Sequence, residues 1–264
     1  MKNITLHNGT KIFSFSNIGK VEGFEYPDTI LAIENVAGEK SAIWVNSKAS
    51  VRRLSFQSVI DYSQRRDLEE VLRLGNTKTL KFTTCDDVEL QIEVDIDKLV
   101  MPYTKSRQIA LIEMIAPDWR FYSQEEVSFD TPETVVTGGM SIPASIPFDL
   151  SGDDASTYGV TNEGNEFTSP VFRINGPFTS FTITNQTTDE YIEITDDLDN
   201  DEYIVVDTYN KTIYKNGTEN IYNNMTAGYF FNLVPGFNYI KFECVGEDVT
   251  TLLTITYRHA YIGI

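Results

Sequence analysis

The feature that most constrains the fold is a succession of short segments in which apolar and polar residues alternate. Residues 88–97 place an apolar side chain at every second position, with acidic or amide side chains between them. Residues 54–60 follow a similar period, and residues 107–115 are apolar on both faces. A period of two is typical of β-strands with one buried face, and a short run that is apolar throughout is typical of a more buried strand. The sequence therefore predicts a mainly β chain.

The second half shows the strand pattern even more strongly. From about residue 166 onward, turn residues interrupt apolar segments roughly every ten residues, as in all-β domains. Asn175-Gly176-Pro177 predicts one turn, and Asn216-Gly217 predicts a tight hairpin. Many short and evenly spaced strands predict a β-sandwich or a barrel.

One segment, residues 62–74, predicts a helix. Asp61 precedes it and a glutamine follows three residues later, which is the spacing of a partial capping box. Glu69 and Arg73 have the i,i+4 spacing of a favourable ion pair. Gly75 supplies a stop signal. The apolar stripe consists of Leu68, Val71 and Leu72.

The charge is acidic and unevenly distributed. The chain has 21 Lys and Arg against 39 Asp and Glu, a net charge of −18. Residues 1–130 hold 16 and 20 of these, whereas residues 131–264 hold 5 and 19. This step, with the Pro- and Gly-containing segment beside it, predicts two domains, 1–128 and 129–264. Because such an acidic chain repels anions, a protein that binds nucleic-acid backbones or anionic membranes is disfavoured.

Residues that carry catalytic chemistry are scarce. The chain has two histidines, His7 and His259, and no nucleophile-elbow, zinc-protease, P-loop or dinucleotide-binding motif. Its two cysteines, Cys85 and Cys244, predict free thiols in a reducing cytoplasm. The first residues lack a secretory signal, and no apolar run is long enough to span a membrane. We therefore expect no enzyme, no metal and no cofactor.

An acidic run, residues 196–202, invites comparison with calcium loops. Asp197, Asp199 and Asp201 have the spacing of the first three ligands of an EF-hand. Glu202 stands where that loop needs glycine, and Thr208 stands where it needs glutamate, so the EF-hand interpretation fails. A looser site with oxygen ligands and a solvated turn both remain open.

Two further groups of side chains are candidates for binding. Tyrosines of the second half could stack on sugar rings, although alternate aromatic residues in strands more commonly fill a core. The predicted helix is a locally basic face that could dock on the acidic ribbon of a neighbouring copy, or simply be solvated. The sugar candidates are Tyr229, Tyr257 and Tyr261. The interface candidates are Arg65, Arg66, Arg73, Glu89, Gln91, Glu93 and Asp95.

Several segments, in this order, resemble a known family. In the first half they are SQRRDLEEVLRLGNTKTLKFTTCDDVELQIEVDIDK and IEMIAPDWRFYS. In the second half they are NEGNEFTSPVFRINGPFTSFTITNQTTDEYIEI, YIVVDTYNKTIYKNGT and FFNLVPGFNYIKF. Together they are similar to the distal tail proteins, the Dit family, of bacteriophages with long non-contractile tails.

The resemblance implies an N-terminal β-sandwich with one helix and a long belt hairpin at about residues 78–97. It implies a galectin-like C-terminal β-sandwich. It also implies a homo-hexameric ring at the distal end of the virion tail, made in the host bacterial cytoplasm. That ring would join the major tail tube protein to a tail-associated lysin or tail-tip protein. The tape-measure protein and a receptor-binding protein are further possible partners, and DNA would pass through without specific binding.

The alternative function is a glycan-binding module that contacts saccharides of the host cell wall. No segment outside the two predicted domains is long enough to hold the inserted carbohydrate-binding module that some members of the family carry. The resemblance therefore favours the role of a hub over direct receptor binding.

Overall fold

Most of the described chain lies in β-strands, and the mainly β fold class is confirmed. The computed structural model describes residues 1–35, 42–73, 75–102, 107–131, 157–246 and 251–264, with side chains in these ranges outside 31–47. Two units are present, Met1–Glu125 with Ala260–Ile264, and Glu126–His259. The first unit thus ends close to residue 128, but it also takes the last five residues of the chain. Residues 132–156, which make up most of the Pro- and Gly-containing segment beside the predicted boundary, lie outside the described residues.

The first unit contains ten strands before the chain enters the second. They are β1 Lys2–Asn8, β2 Lys11–Ser14, β3 Ile18–Glu22, β4 Thr29–Asn35, β5 Ala42–Ala49, β6 Arg52–Ile60, β7 Lys78–Thr83, β8 Glu89–Val100, β9 Gln108–Ala116 and β10 Phe121–Ser123. Eight of them belong to one nine-stranded sheet, in which seven follow the order β2-β1-β7-β8-β9-β6-β3 and β10 pairs with β8 and with the last strand of the chain. All neighbouring strands on this path are antiparallel.

Strand β8 connects the two halves of this sheet. Glu89–Val94 of β8 pairs with β7, and Asp95–Val100 pairs with β9, with a break in register between Ile96 and Lys98. The inward side chains of both halves form a single apolar core. This core includes Phe56, Leu80, Phe82, Ile92 and Ile112, all nearly inaccessible to solvent. The two halves therefore enclose one core while sharing a strand.

The hairpin expected at residues 78–97 forms as β7 and β8, but it lies inside the sheet. The outer edge of β7 pairs with β1. The outer edge of β8 pairs with β10 at Leu90 and Gln91, and with β9 from Asp95 onward. Because both strands have neighbours on each side, this hairpin cannot act as a free-standing belt.

Strands β4 and β5 form a two-stranded antiparallel sheet of their own. They follow β3 and precede β6 in the chain, so the hairpin is inserted between two neighbouring strands at the edge of the main sheet. Neither strand pairs with any other strand in the described part of the chain. Two free edges expose backbone groups that can pair with another chain.

The helical segment is shorter than the pattern predicted. Tyr62–Gln64 is a 3-10 turn, and the α-helix α1 is limited to Arg65–Val71. Gln64 Oε1 accepts the backbone N–H of Asp61 at 3.1 Å, which provides one half of the expected capping box. Residue 74, the last of the predicted helix, lies outside the described residues. Gly75 has a φ of +99°, a conformation that glycine adopts without steric cost.

The second unit is a sandwich of two antiparallel sheets. Its strands are β11 Val127–Asp130, β12 Thr157–Asn162, β13 Val171–Asn175, β14 Phe178–Asn185, β15 Glu190–Leu198, β16 Tyr203–Asp207, β17 Thr212–Lys215, β18 Glu219–Asn220, β19 Met225–Gly228, β20 Gly236–Val245 and β21 Leu252–Tyr257. One sheet has the order β11-β21-β13-β16-β17-β18, and the other has the order β12-β20-β14-β15-β19. Alternate side chains of both sheets meet in one core, in which Phe172, Phe181 and Phe231 are buried.

The chain ends with β22, Ala260–Tyr261, which pairs with β10 in the first unit. Its register places Tyr261 opposite Phe121. None of the described helices combines the length and apolar character needed to cross a membrane.

Candidate assembly surfaces

The basic side chains of helix α1 have different environments. Arg65 is largely buried and its Nε lies 2.8 Å from Glu69 Oε1, so its charge is already paired within the helix. The sequence favoured Glu69 with Arg73 instead; that pairing is absent, because Arg73 lies beyond the end of α1. Arg66 and Arg73 are exposed, and neither forms an ion pair with another described residue.

The acidic face of β8 divides in a similar way. Asp95 pairs with the buried Lys78 at 3.1 Å, and Asp97 lies 3.6 Å from Arg53. Glu89 and Glu93 are exposed, and they form no ion pair within the described ranges. Gln91 is half-buried and lies opposite Tyr122 of β10, which makes it a poor contact for a second copy. Two acids thus remain available on this face.

The pKa values of the paired acids follow from their contacts. The pKa of Asp95 lies below its ordinary value, first because the Ile96 N–H donates to its carboxylate and then because Lys78 does. The pKa of Glu70 is lowered by a hydrogen bond from Lys11 of β2. Both carboxylates are therefore ionised at neutral pH and already compensated within the chain.

The three tyrosines proposed to contact sugars do not form one surface. Tyr257 is 5% exposed, lies in the core of the second unit, and donates its hydroxyl to Thr161 O at 2.7 Å. Tyr261 belongs to the first unit and packs against its core. Tyr229 is exposed on its own. A ring held in a core cannot stack on a sugar in solvent, so the expectation is corrected for Tyr257.

Other aromatic side chains are exposed together on the second unit. Phe237 and Tyr239 are neighbours on the outer face of β20, with ring centroids 4.8 Å apart and planes at 73°. They are 50% and 53% exposed. This pair was not among the sequence-predicted candidates, although two aromatic residues at a spacing of two in one strand point to the same face.

The ammonium group of a lysine contacts several oxygens of the acidic run at residues 196–202. Lys215 Nζ lies 2.9 Å from Glu202 Oε2 and 3.6 Å from Asp196 Oδ1, and it donates to the Asp197 carbonyl at 3.0 Å. The hydrogen bond from Lys215 is the main reason why the pKa of Glu202 is lowered. An ammonium group thus holds the position that a cation would need. No group of side chains suited to a metal ion forms among the described residues.

Arg52 is a further charged residue that the sequence analysis did not single out. It is 1% exposed, and its guanidinium stacks on Phe121 at 4.3 Å. It donates to the carbonyls of Trp119, Gly23 and Glu25 at 2.6, 2.7 and 3.1 Å. It also donates to the Ile262 carbonyl. Burial lowers its pKa to about 10, while Asp118 and Asp28 oppose that shift. Arg52 thus holds the end of the chain in the first unit.

The segment Leu-Val-Pro-Gly-Phe-Asn, which contributed to the family resemblance, has a structural explanation. Asn238 is fully buried, and its amide donates to the carbonyls of Val234 and Gly236 at 2.9 and 3.1 Å. Its Oδ1 accepts the Val234 N–H at 3.0 Å. The side chain therefore closes the turn that leads into β20. Within this motif Asn238 shapes the backbone of the turn, whereas Phe237 is exposed to solvent.

Comparisons with known proteins give the family context of this geometry. Residues 163–261 match the family described as siphovirus-type tail component, C-terminal domain. No curated protein sequence matches the chain significantly.

Solved structures match over nearly the whole chain. The crystal structure of SPP1 Dit (gp 19.1) has a TM-score of 0.67 and 13% sequence identity, and it covers 98% of this chain and 99% of that one. A chain of the phage p2 baseplate in its activated conformation with Sr has a TM-score of 0.54, 13% identity, and coverage of 97% and 98%. Residues 163–261 therefore match a siphovirus-type tail component domain, and the chain as a whole has a fold similar to that of SPP1 Dit.

Proposed function

We propose that this protein is a structural hub of a bacteriophage tail, forming a homo-hexameric ring at the distal end. The observation that carries the proposal is the likeness to SPP1 Dit over 98% of the chain, including both units. SPP1 Dit is described as a paradigm of the hub adsorption apparatus in phages that infect Gram-positive bacteria. The family match of the second unit to siphovirus-type tail components supports the same role.

In this role the ring joins the major tail tube protein on one side to a tail-associated lysin or tail-tip protein on the other. The tape-measure protein and a receptor-binding protein are further partners. DNA passes through the ring on leaving the tail, and the net charge of −18 per chain disfavours adhesion of its phosphates. The protein is made in the host cytoplasm and becomes part of the virion tail.

The charges left available in the first unit support a head-to-tail contact between copies. Arg66 and Arg73 on the helical segment have no ion-pair partner among the described residues, and the same holds for Glu89 and Glu93 on β8. Two different surfaces of opposite charge on one chain suit a heterologous interface, which closes into a ring when the rotation allows. Arg65, Gln91 and Asp95 contribute less to this contact because each is already engaged within its own chain.

The β4–β5 hairpin is the element that we assign to the belt, in place of residues 78–97. It is separate from the main sheet, and each of its strands has a free edge among the described strands. Pairing or packing against the next copy would cover these edges. Ring closure therefore serves two purposes, neutralising exposed charge and covering unpaired backbone.

The test of the ring is the mass of the purified chain in solution, measured by native mass spectrometry and analytical ultracentrifugation. A hexamer of the 29.9 kDa chain has a mass of about 180 kDa. A stable monomer at high concentration, both alone and with the tail tube protein added, would contradict the proposal.

Charge reversal tests the assignment of the interface. The double variant Arg66→Glu/Arg73→Glu should shift the chain toward monomer, since each exposed ion pair contributes up to about 1 kcal/mol and reversal adds repulsion at each contact. Combining it with Glu89→Lys/Glu93→Lys should restore assembly. Lys211→Glu, an exposed reversal in the second unit, is the matched control and should leave the mass unchanged.

A second role for Glu89 and Glu93 is to line the DNA conduit, and the same variants separate the two roles. If Glu89→Lys/Glu93→Lys leaves the ring intact but slows genome ejection, the acids face the channel. If the variant dissociates the ring, they belong to the interface. An intact ring with unchanged ejection would exclude both roles.

A further inference from the structure

The outer face of the five-stranded sheet in the second unit carries an exposed corner of two aromatic rings. We define the β20 corner as Phe237 and Tyr239 together with Lys241 and Glu243, all on the outward side of β20. The ring centroids of Phe237 and Tyr239 are 4.8 Å apart with planes at 73°. One ring thus presents a face while the other stands nearly at right angles beside it. Both rings remain about half exposed.

The neighbouring strand holds one of these rings in place. Gly159 of β12 lies opposite Tyr239, and Thr161 lies opposite Phe237. A Cβ atom at Gly159 would come within 2.2 Å of Phe237 Cζ, so the Phe237 ring lies across the glycine. An aromatic ring packed over a glycine of the next strand is a way of stabilising a sheet. This packing fixes the ring and lowers the entropy cost of using it as a binding surface.

Polar groups continue the same face. Lys241 Nζ and Glu243 Oε1 form an ion pair of 2.9 Å, next to Tyr239 in the alternation of β20. Thr184 and Thr182 of β14 lie opposite these two residues in register. The β20 corner therefore combines aromatic faces with charged donors and acceptors and a row of hydroxyls.

We propose that the β20 corner binds a neutral saccharide. The C–H face of a sugar ring packs on an aromatic ring. The sugar hydroxyls can donate hydrogen bonds to the Glu243 carboxylate and accept them from the Lys241 ammonium group. Residues 131–264 carry 5 basic against 19 acidic residues, a field that repels polyanions such as teichoic acids. The charge therefore selects an uncharged chain of sugars. This site replaces the set of Tyr229, Tyr257 and Tyr261.

The test is binding of the full chain to an array of neutral oligosaccharides based on glucose, galactose, rhamnose and N-acetylglucosamine, with glycerol-phosphate teichoic acid as the anionic probe. Wild type should bind one class of neutral sugar and not the teichoic acid. Tyr239→Ala should weaken that binding at least about tenfold, because it removes one of two stacking surfaces. Tyr209→Ala is the matched control, since Tyr209 and Tyr239 are both 53% exposed and only Tyr239 lies at the corner.

Lys241→Gln is a second variant, which should also weaken binding while leaving both rings in place. Thermal unfolding of each variant shows whether the second unit remains folded. Absence of any neutral sugar bound by wild type would overturn the proposal, as would equal losses in Tyr239→Ala and Tyr209→Ala or preference for the teichoic acid. The mass of the ring is measured separately, so failure of sugar binding would leave the hub proposal intact.

Discussion

Replacement of Arg52 by methionine tests whether the first unit depends on a buried cation that clamps four carbonyls. Methionine keeps much of the apolar contact with Phe121 but removes every donor. Trp119, Gly23, Glu25 and Ile262 would then lose the guanidinium as hydrogen-bond partner. A carbonyl left unsatisfied in a buried site costs about 1–3 kcal/mol, and water can reach some of the four. We expect a loss of about 4 kcal/mol in the free energy of unfolding of this unit.

Tryptophan fluorescence during urea unfolding measures this loss selectively. Both tryptophans, Trp44 and Trp119, belong to the first unit. With a denaturant slope of about 2 kcal/mol per molar, the midpoint should fall by about 2 M. Arg53→Met is the matched control, because Arg53 is exposed and pairs with Asp97 at 3.6 Å, and it should change stability by less than about 0.5 kcal/mol. Equal midpoints for the two variants would refute the clamp.

Two further variants test the buried polar groups of each unit. Burial opposes ionisation of Asp118, but hydrogen bonds from Arg120 and Tyr122 hold its pKa below the ordinary value. A lowered pKa stabilises the fold above the unfolded pKa of about 4, and this contribution is lost as pH falls through the folded pKa. Asp118→Asn should therefore flatten the acid limb of stability against pH, and an unchanged limb would contradict this. Asn238→Ala should lower the stability of the second unit by about 3 kcal/mol, since three hydrogen bonds at the turn are lost. Near-UV circular dichroism of tyrosine checks it, and a loss below about 1 kcal/mol would rule out the capping role.

Local patterns predicted the strands and their buried faces well, because alternation depends only on nearby residues. The acidic outer face of β8 is an example, with Glu89, Glu93 and Asp95 exposed and Leu90 and Ile92 buried between them. Its position inside the sheet was not predictable in the same way. Pairing with β9 and β10 joins residues distant in sequence, and the pattern of one strand does not specify its neighbours.

Side-chain roles were harder to predict than strands. Alternation assigns the residues of a strand to two faces but does not show which face meets the opposite sheet. Tyr257 lies on the face that packs in the core. The alternating pattern around Arg52 predicts a strand with one exposed face. The hydrogen-bond partners of Arg52 nevertheless lie in three segments that are distant in sequence, at Gly23, Trp119 and Ile262. The family resemblance predicted the order of the domains along the chain, which local patterns do not specify. The resemblance did not predict which charged side chains lack an ion-pair partner within the chain, because this depends on contacts such as that of Lys78 with Asp95.

A cryo-electron microscopy reconstruction of the tail tip of virions that contain this chain tests the proposed ring most directly. We expect six copies around the tail axis at the distal end, with the first units closing the ring around the conduit. Arg66 and Arg73 of one copy should lie near Glu89 and Glu93 of the next. Absence of the chain from the tail, its presence only in another part of the virion, or a different number of copies around the axis would contradict the hexameric hub.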